Sequence, residues 1–135
     1  MDASRLRAFD LFSGLSDEQL EQVAGWSQEV EVEIGQYLIR RDGFGHEFFI
    51  ILEGTAEAMD GETHLADMVP GEFFGELALI DQTPRSASVR ATTPMRLAVM
   101  SRQQFLSMVQ TMPPVEQRVR AKIAERLEAS EFSKG

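Results

Sequence analysis

A chain of 135 residues with 43% hydrophobic residues is long enough to bury a core of its own and too short for a second domain. It holds no cysteine, which rules out disulfides, thiolate metal sites and cysteine nucleophiles; its net charge of −9 opposes nucleic acid, whose non-specific affinity needs several phosphates neutralised by Lys and Arg. The longest apolar run, Phe48-Phe49-Ile50-Ile51-Leu52, falls far short of the roughly 20 residues that span a bilayer, and Met1-Asp2-Ala3-Ser4 opens no signal-like segment, so a cytoplasmic protein with no membrane partner is expected.

Ser16 and Gln19 stand at capping-box spacing, with Leu15 and Leu20 where a hydrophobic staple would pin the start of a helix, predicting helix over Ser16–Trp26. Val30, Val32 and Ile34 then alternate with Glu29, Glu31 and Glu33, the pattern of a strand with one buried face, and Gly35 turns the chain. Short β-rich runs follow at Tyr37–Arg40, Phe48–Leu52, Thr55–Met59, Thr63–Val69, Ser88–Ala91 and Met95–Met100. They are punctuated by Asp42-Gly43, Glu53-Gly54, Asp60-Gly61, Pro70-Gly71 and Thr93-Pro94, the spacing of an antiparallel sandwich or closed roll.

Ser101 and Gln104 repeat the capping box, with Met100 and Phe105 in the staple positions, predicting a helix over Ser101–Gln110. Pro113-Pro114 breaks it, and Pro114 can open a last helix with Val115, Val119, Ile123 and Leu127 along one apolar side. The fold class expected is mainly β with flanking helices: a jelly-roll-like antiparallel β-roll with an N-terminal helix and two C-terminal helices. It forms a single domain over residues 1–135 with its core at about 11–130.

Charge is distributed unevenly: residues 1–83 carry 18 acidic and 4 basic side chains, residues 84–135 carry 9 basic and 4 acidic. Most belong to solvated faces. The segment Gly71-Glu72-Phe73-Phe74-Gly75-Glu76-Leu77-Ala78-Leu79-Ile80-Asp81-Gln82-Thr83-Pro84-Arg85-Ser86-Ala87-Ser88-Val89 stands apart, with neither a strand's alternation nor a full helix. Gly75 permits a sharp turn, and Glu76-Leu77-Ala78-Leu79 suits one helical turn whose free N–H groups would face an anion. An acid there and a guanidinium at Arg85, held by Pro84, suit a ligand carrying both a hydroxyl and a phosphate. A cyclic phosphodiester is a monoanion that one Arg and a few N–H groups can neutralise; a triphosphate would ask for the Lys and hydroxyl of a P-loop, which this segment lacks.

Phe-Gly-Glu-Leu-Ala-Leu followed by Pro-Arg-Ser-Ala-Ser-Val, with Gly71-Glu72-Phe73 upstream, resembles the phosphate-binding cassette of the cyclic-nucleotide-binding domains. Such domains occur in the catabolite activator protein, the regulatory subunits of cyclic-AMP-dependent protein kinase and cyclic-nucleotide-gated channels. Leu11–Ser16 and Phe49–Gly54 extend the resemblance over most of the chain. It implies a non-catalytic regulatory domain with cyclic AMP, or else cyclic GMP, as ligand and with no cofactor. Glu76 would take the ribose 2′-OH and Arg85 the exocyclic phosphate oxygens. Backbone groups of Gly75, Leu77 and Ala78 would cradle sugar and phosphate, and Ser86 and Ala87 would close the phosphate side. In the family a Thr after this Arg favours guanine, so Ser86 leans toward adenine. The final helix closes over the base, which places Ser130 as a base contact and makes that helix a route for signalling or for a homodimer.

Three competing readings are weighed against this one. Glu76 and Arg85 could form only a structural ion pair, worth roughly 0–1 kcal/mol at a surface. The chain could be a degenerate relative serving as a protein-interaction module or binding another small anion. It could be a cupin-like enzyme, but no His and carboxylate cluster or catalytic triad is legible, and His46 and His64 show no metal-ligand spacing, so no metal site is expected. The helix-turn-helix of the catabolite activator group has no counterpart in the sequence, so direct nucleic-acid recognition is not expected.

Overall fold

The computed structural model describes residues 1–39, 47–76 and 87–134, the last eight of these by their backbone alone. The chain begins with two 3₁₀ turns, Ala3–Arg5 and Asp10–Phe12, and then helix α1, Asp17–Trp26. Eight strands follow: β1 Gln28–Val32, β2 Tyr37–Ile39, β3 Glu47–Glu53, β4 Ala56–Asp60, β5 Thr63–Met68, β6 Phe73–Phe74, β7 Ser88–Ala91 and β8 Met95–Ser101. Helices α2, Arg102–Thr111, and α3, Pro113–Lys134, close the chain. Both capping boxes form as read: Ser16 Oγ accepts from Gln19 N–H at 3.1 Å, and Ser101 Oγ accepts from Gln104 N–H at 3.2 Å.

The strands make two four-stranded antiparallel sheets, ordered β1-β8-β3-β6 and β2-β7-β4-β5, which is the expected β-roll. β3 explains the arrangement. It is the continuous apolar run of the sequence because both its faces are covered, as such runs require. Phe48, Ile50 and Leu52 face the helices together with Phe105, Met108, Val115 and Val119, whereas Phe49 and Ile51 face the second sheet together with Val89, Ala91, Met68 and Leu97. β8 splits the same way, with Ala98 and Met100 on the helix side and Met95 and Leu97 between the sheets.

Two local expectations are corrected. The strand read through Ile34 stops at Val32, and Ile34 is 65% exposed. Val32 pairs with Met95, and the residue that would meet Glu33 next is Pro94, which has no N–H to donate. The segment read as lacking a strand contains β6, whose residues Phe73 and Phe74 pair with Ile50 and Phe49. The 3₁₀ turns carry no period and went unread.

The first three apolar positions of α3 are spent on the domain itself. Val115 and Val119 are buried, and Ile123 packs on the same cluster. A homodimer through α3 would therefore have to use surfaces other than these three residues. Arg118 ties the first half of the helix down, donating from Nη1 to the carbonyl oxygens of Leu11 at 3.2 Å and Ser13 at 2.7 Å.

Candidate ligand-binding site

β6 is what aims the site. Its two phenylalanines point to opposite faces of the first sheet, as neighbours on a strand must. The Phe73 ring lies 5.6 Å from that of Phe48 on the helix side, and Phe74 stacks on Phe49 at 4.9 Å between the sheets. Aromatic pairs of this kind contribute about 0.5–1.5 kcal/mol each beyond their burial. Backbone bonds add to the anchoring: Gly71 N–H donates to Ile51 O at 2.8 Å, and Ile51 N–H donates to Glu72 O at 2.9 Å. Gly75 follows, with a φ of 96° in the region that glycine alone enters without strain. The next residue, Glu76, is delivered into the interior.

Among the described residues Glu76 is the single polar or charged residue that is fully buried. A carboxylate so placed needs a cation, and the partner comes from the far end of the chain. Arg126 of α3 donates from Nη1 to Glu76 Oε1 and from Nη2 to the Phe73 carbonyl oxygen at 2.6 Å. Its guanidinium lies 5.7 Å from the centroid of the Phe73 ring, within cation–π range. Arg126 is itself 25% exposed, so it forms a plug at the edge of the site. The second carboxylate oxygen, Glu76 Oε2, is buried with no hydrogen-bond partner among the described residues. Buried acceptors are nearly always paired, and an unpaired one marks either a cost or a place kept for a donor.

Of the residues read for the site, Gly75 takes a positive φ and Glu76 is fully buried. Ala87, half-buried, directly precedes β7. Leu77, Ala78, Arg85 and Ser86 lie outside the described residues. Ser130 lies on α3 one helical turn beyond Arg126, a spacing that shares a face, but its side chain is outside the described residues. Arg126 is the residue that sequence reading missed. Its sequence neighbours carry no mark of the role, because the carboxylate it meets lies fifty residues earlier in the chain.

A family model, the cyclic nucleotide-binding domain, matches residues 29–112. The chain belongs to that family. A cAMP-dependent protein kinase regulatory subunit of Schizosaccharomyces pombe is 34% identical over 103 residues, 76% of this chain and 25% of that protein. The chain therefore spans about a quarter of the length of that relative. The regulatory domain of Toxoplasma gondii PKA, solved with cAMP, superposes with a TM-score of 0.81 at 27% identity, covering 91% of this chain and 48% of that one. The regulatory subunit of a cAMP-independent protein kinase A from Trypanosoma brucei superposes with a TM-score of 0.82 at 26% identity, covering 97% of this chain and 47% of that one. The cyclic-nucleotide-binding β-roll is thus the fold of this chain, and its relatives are regulatory domains.

No helix among the described residues is long and apolar enough to cross a membrane.

Proposed function

We propose that this domain is a receptor for a 3′,5′-cyclic nucleotide, cyclic AMP before cyclic GMP, and that it relays occupancy through α3. The observation that carries the reading is the state of Glu76: one carboxylate oxygen is held by Arg126, and the other is buried with no hydrogen-bond partner among the described residues. A ribose 2′-OH is a donor of the right chemistry for that oxygen. Leaving the oxygen unpaired costs roughly 1–3 kcal/mol, which a ligand hydroxyl would recover on binding. Arg85 would then meet the cyclic phosphate, with Ser86, Ala87 and the backbone of Gly75, Leu77 and Ala78 around it.

The relay follows from who holds Glu76. α3 is fixed at Arg118 to the N-terminal segment and at Arg126 to the cassette, eight residues or about 12 Å apart along the helix. A ligand bound at the cassette strengthens the second anchor, and Ser130, one turn further, becomes the contact to the base. Binding energy at the sugar and phosphate is thereby converted into order in the second half of the helix.

One solved neighbour is described as belonging to a cAMP-independent kinase, so fold alone does not choose the ligand. The choice rests on the acid and the guanidinium. Calorimetric titration with cyclic AMP, cyclic GMP and linear 5′-AMP tests it. Binding of cyclic AMP at one per chain, tighter than 5′-AMP by tenfold or more, is expected; no binding of either cyclic nucleotide would leave the domain an interaction module.

A further inference from the structure

At the β5 edge of the second sheet, the β4–β5 hairpin gathers three potential ligands. Glu57 and Asp67 sit directly opposite one another in the antiparallel register, two like charges that repel. Between them and the turn the register slips: Ala58 pairs with Ala66, but Met59 pairs with His64, leaving Leu65 as the extra residue of a β-bulge, half exposed. In an unbroken strand His64 and Asp67, three residues apart, would point to opposite faces. The bulge resets the alternation and turns His64 onto the face of both acids.

The distances distinguish the roles of the two acids. His64 Nδ1 lies 3.0 Å from Glu57 Oε2, an ordinary hydrogen bond in which the ring N–H donates. His64 Nε2 lies 3.6 Å from Asp67 Oδ1, too long for a hydrogen bond. Two ligands held tetrahedrally at the roughly 2.0–2.2 Å bond lengths of zinc stand about 3.3–3.5 Å apart, so this gap is close to the edge of a zinc coordination shell. We propose that His64 Nε2 and the Asp67 carboxylate form the protein half of an open site for a borderline divalent cation of the zinc class. Glu57 acts as the positioning residue: its bond to Nδ1 fixes the tautomer and leaves the Nε2 lone pair for the metal, the arrangement in which metal-bound histidines are commonly oriented. An imidazole ligand favours zinc, copper or nickel over magnesium or calcium, which take oxygen ligands in larger shells. His64 is 48% exposed, which leaves room for water in the remaining coordination positions. A cation there would also screen the Glu57–Asp67 repulsion.

The test is calorimetric titration of the full, tag-free chain with zinc chloride at near-neutral pH, with magnesium chloride in parallel. One zinc per chain and no magnesium uptake are expected. His64→Gln and Asp67→Asn should each weaken zinc binding by about tenfold or more, Glu57→Gln should weaken it by about tenfold, and His46→Gln should leave it unchanged. In the nitrogen spectrum of the native protein, zinc should shift the Nε2 resonance of His64, a change that a purely structural histidine would not show. All three hairpin variants lie on an exposed face and should keep their cyclic nucleotide affinity, so failure of this site and failure of the nucleotide site are read separately. No zinc uptake at millimolar metal, or uptake that survives His64→Gln, overturns the proposal.

Discussion

Removing the charge at either end of the Glu76–Arg126 pair should destabilise the ligand-free domain, and the two losses should not add. Breaking a buried ion pair by deleting one partner costs about 3–5 kcal/mol, because a charge is left buried alone. Here the carboxylate is buried but the guanidinium is 25% exposed, so water can follow the side chain and the expected cost falls to about 1–3 kcal/mol for Arg126→Met. That variant also loses the bond to the Phe73 carbonyl oxygen, which Glu76→Gln keeps. The double variant Glu76→Gln, Arg126→Met removes the stranded charge along with its partner and should recover part of the loss. Urea unfolding of the four proteins gives the coupling from the midpoints, provided the slope m is common to all. A coupling of at least about 1 kcal/mol is expected. A value within the roughly 0.5 kcal/mol scatter of independent sites would show that α3 is not held by this pair, and the relay through Arg126 would fail with it.

Arg85→Ala should nearly abolish cyclic nucleotide binding, a loss of roughly 2–5 kcal/mol, with Arg85→Lys recovering only part; affinity within twofold of the parent at equal salt would misplace the phosphate. Hydrogen exchange with cyclic AMP added should show slowed amides over residues 114–130 as well as around 75–85, and protection confined to the cassette would remove α3 from the relay. Gly54→Ala should destabilise the fold by at least about 2 kcal/mol in urea: the glycine sits at φ +88°, and an added Cβ would clash with the Pro94 carbonyl oxygen. A loss under about 0.5 kcal/mol would mean the β3–β4 turn opens more easily than its contacts imply.

What could be read from sequence is what local chemistry decides. Ser16 with Gln19 and Ser101 with Gln104 specify their helix starts through bonds between neighbours, and both formed. β3 was legible because five consecutive apolar residues need two covered faces. Ile34 was misread because its alternation is genuine, but the strand's length is set by Pro94 on a partner more than sixty residues away. β6 is two residues long, too short to show a period, yet it is the element that carries Gly75 and Glu76 into position. Glu76 could be named from its motif. Its partner could not, since nothing near Arg126 in the chain marks it as the cation for a carboxylate fifty residues earlier. The hairpin histidine shows the same limit, because a bulge moves His64 between faces without leaving a sequence signature.

The claim at the centre is that the open oxygen of Glu76 waits for a ribose hydroxyl. Binding constants for cyclic AMP and its 2′-deoxy analogue, measured on the native domain and on Glu76→Gln, test it in one square of four titrations. A hydrogen bond to a charged group contributes about 1.5–3 kcal/mol, so the native domain should prefer cyclic AMP over the deoxy form by roughly 10–150-fold. In Glu76→Gln that preference should shrink to about threefold or less, while affinity for the deoxy form changes little. A native domain that binds both ligands equally, or a Glu76→Gln variant that keeps the full preference, would contradict the assignment of Glu76 to the sugar.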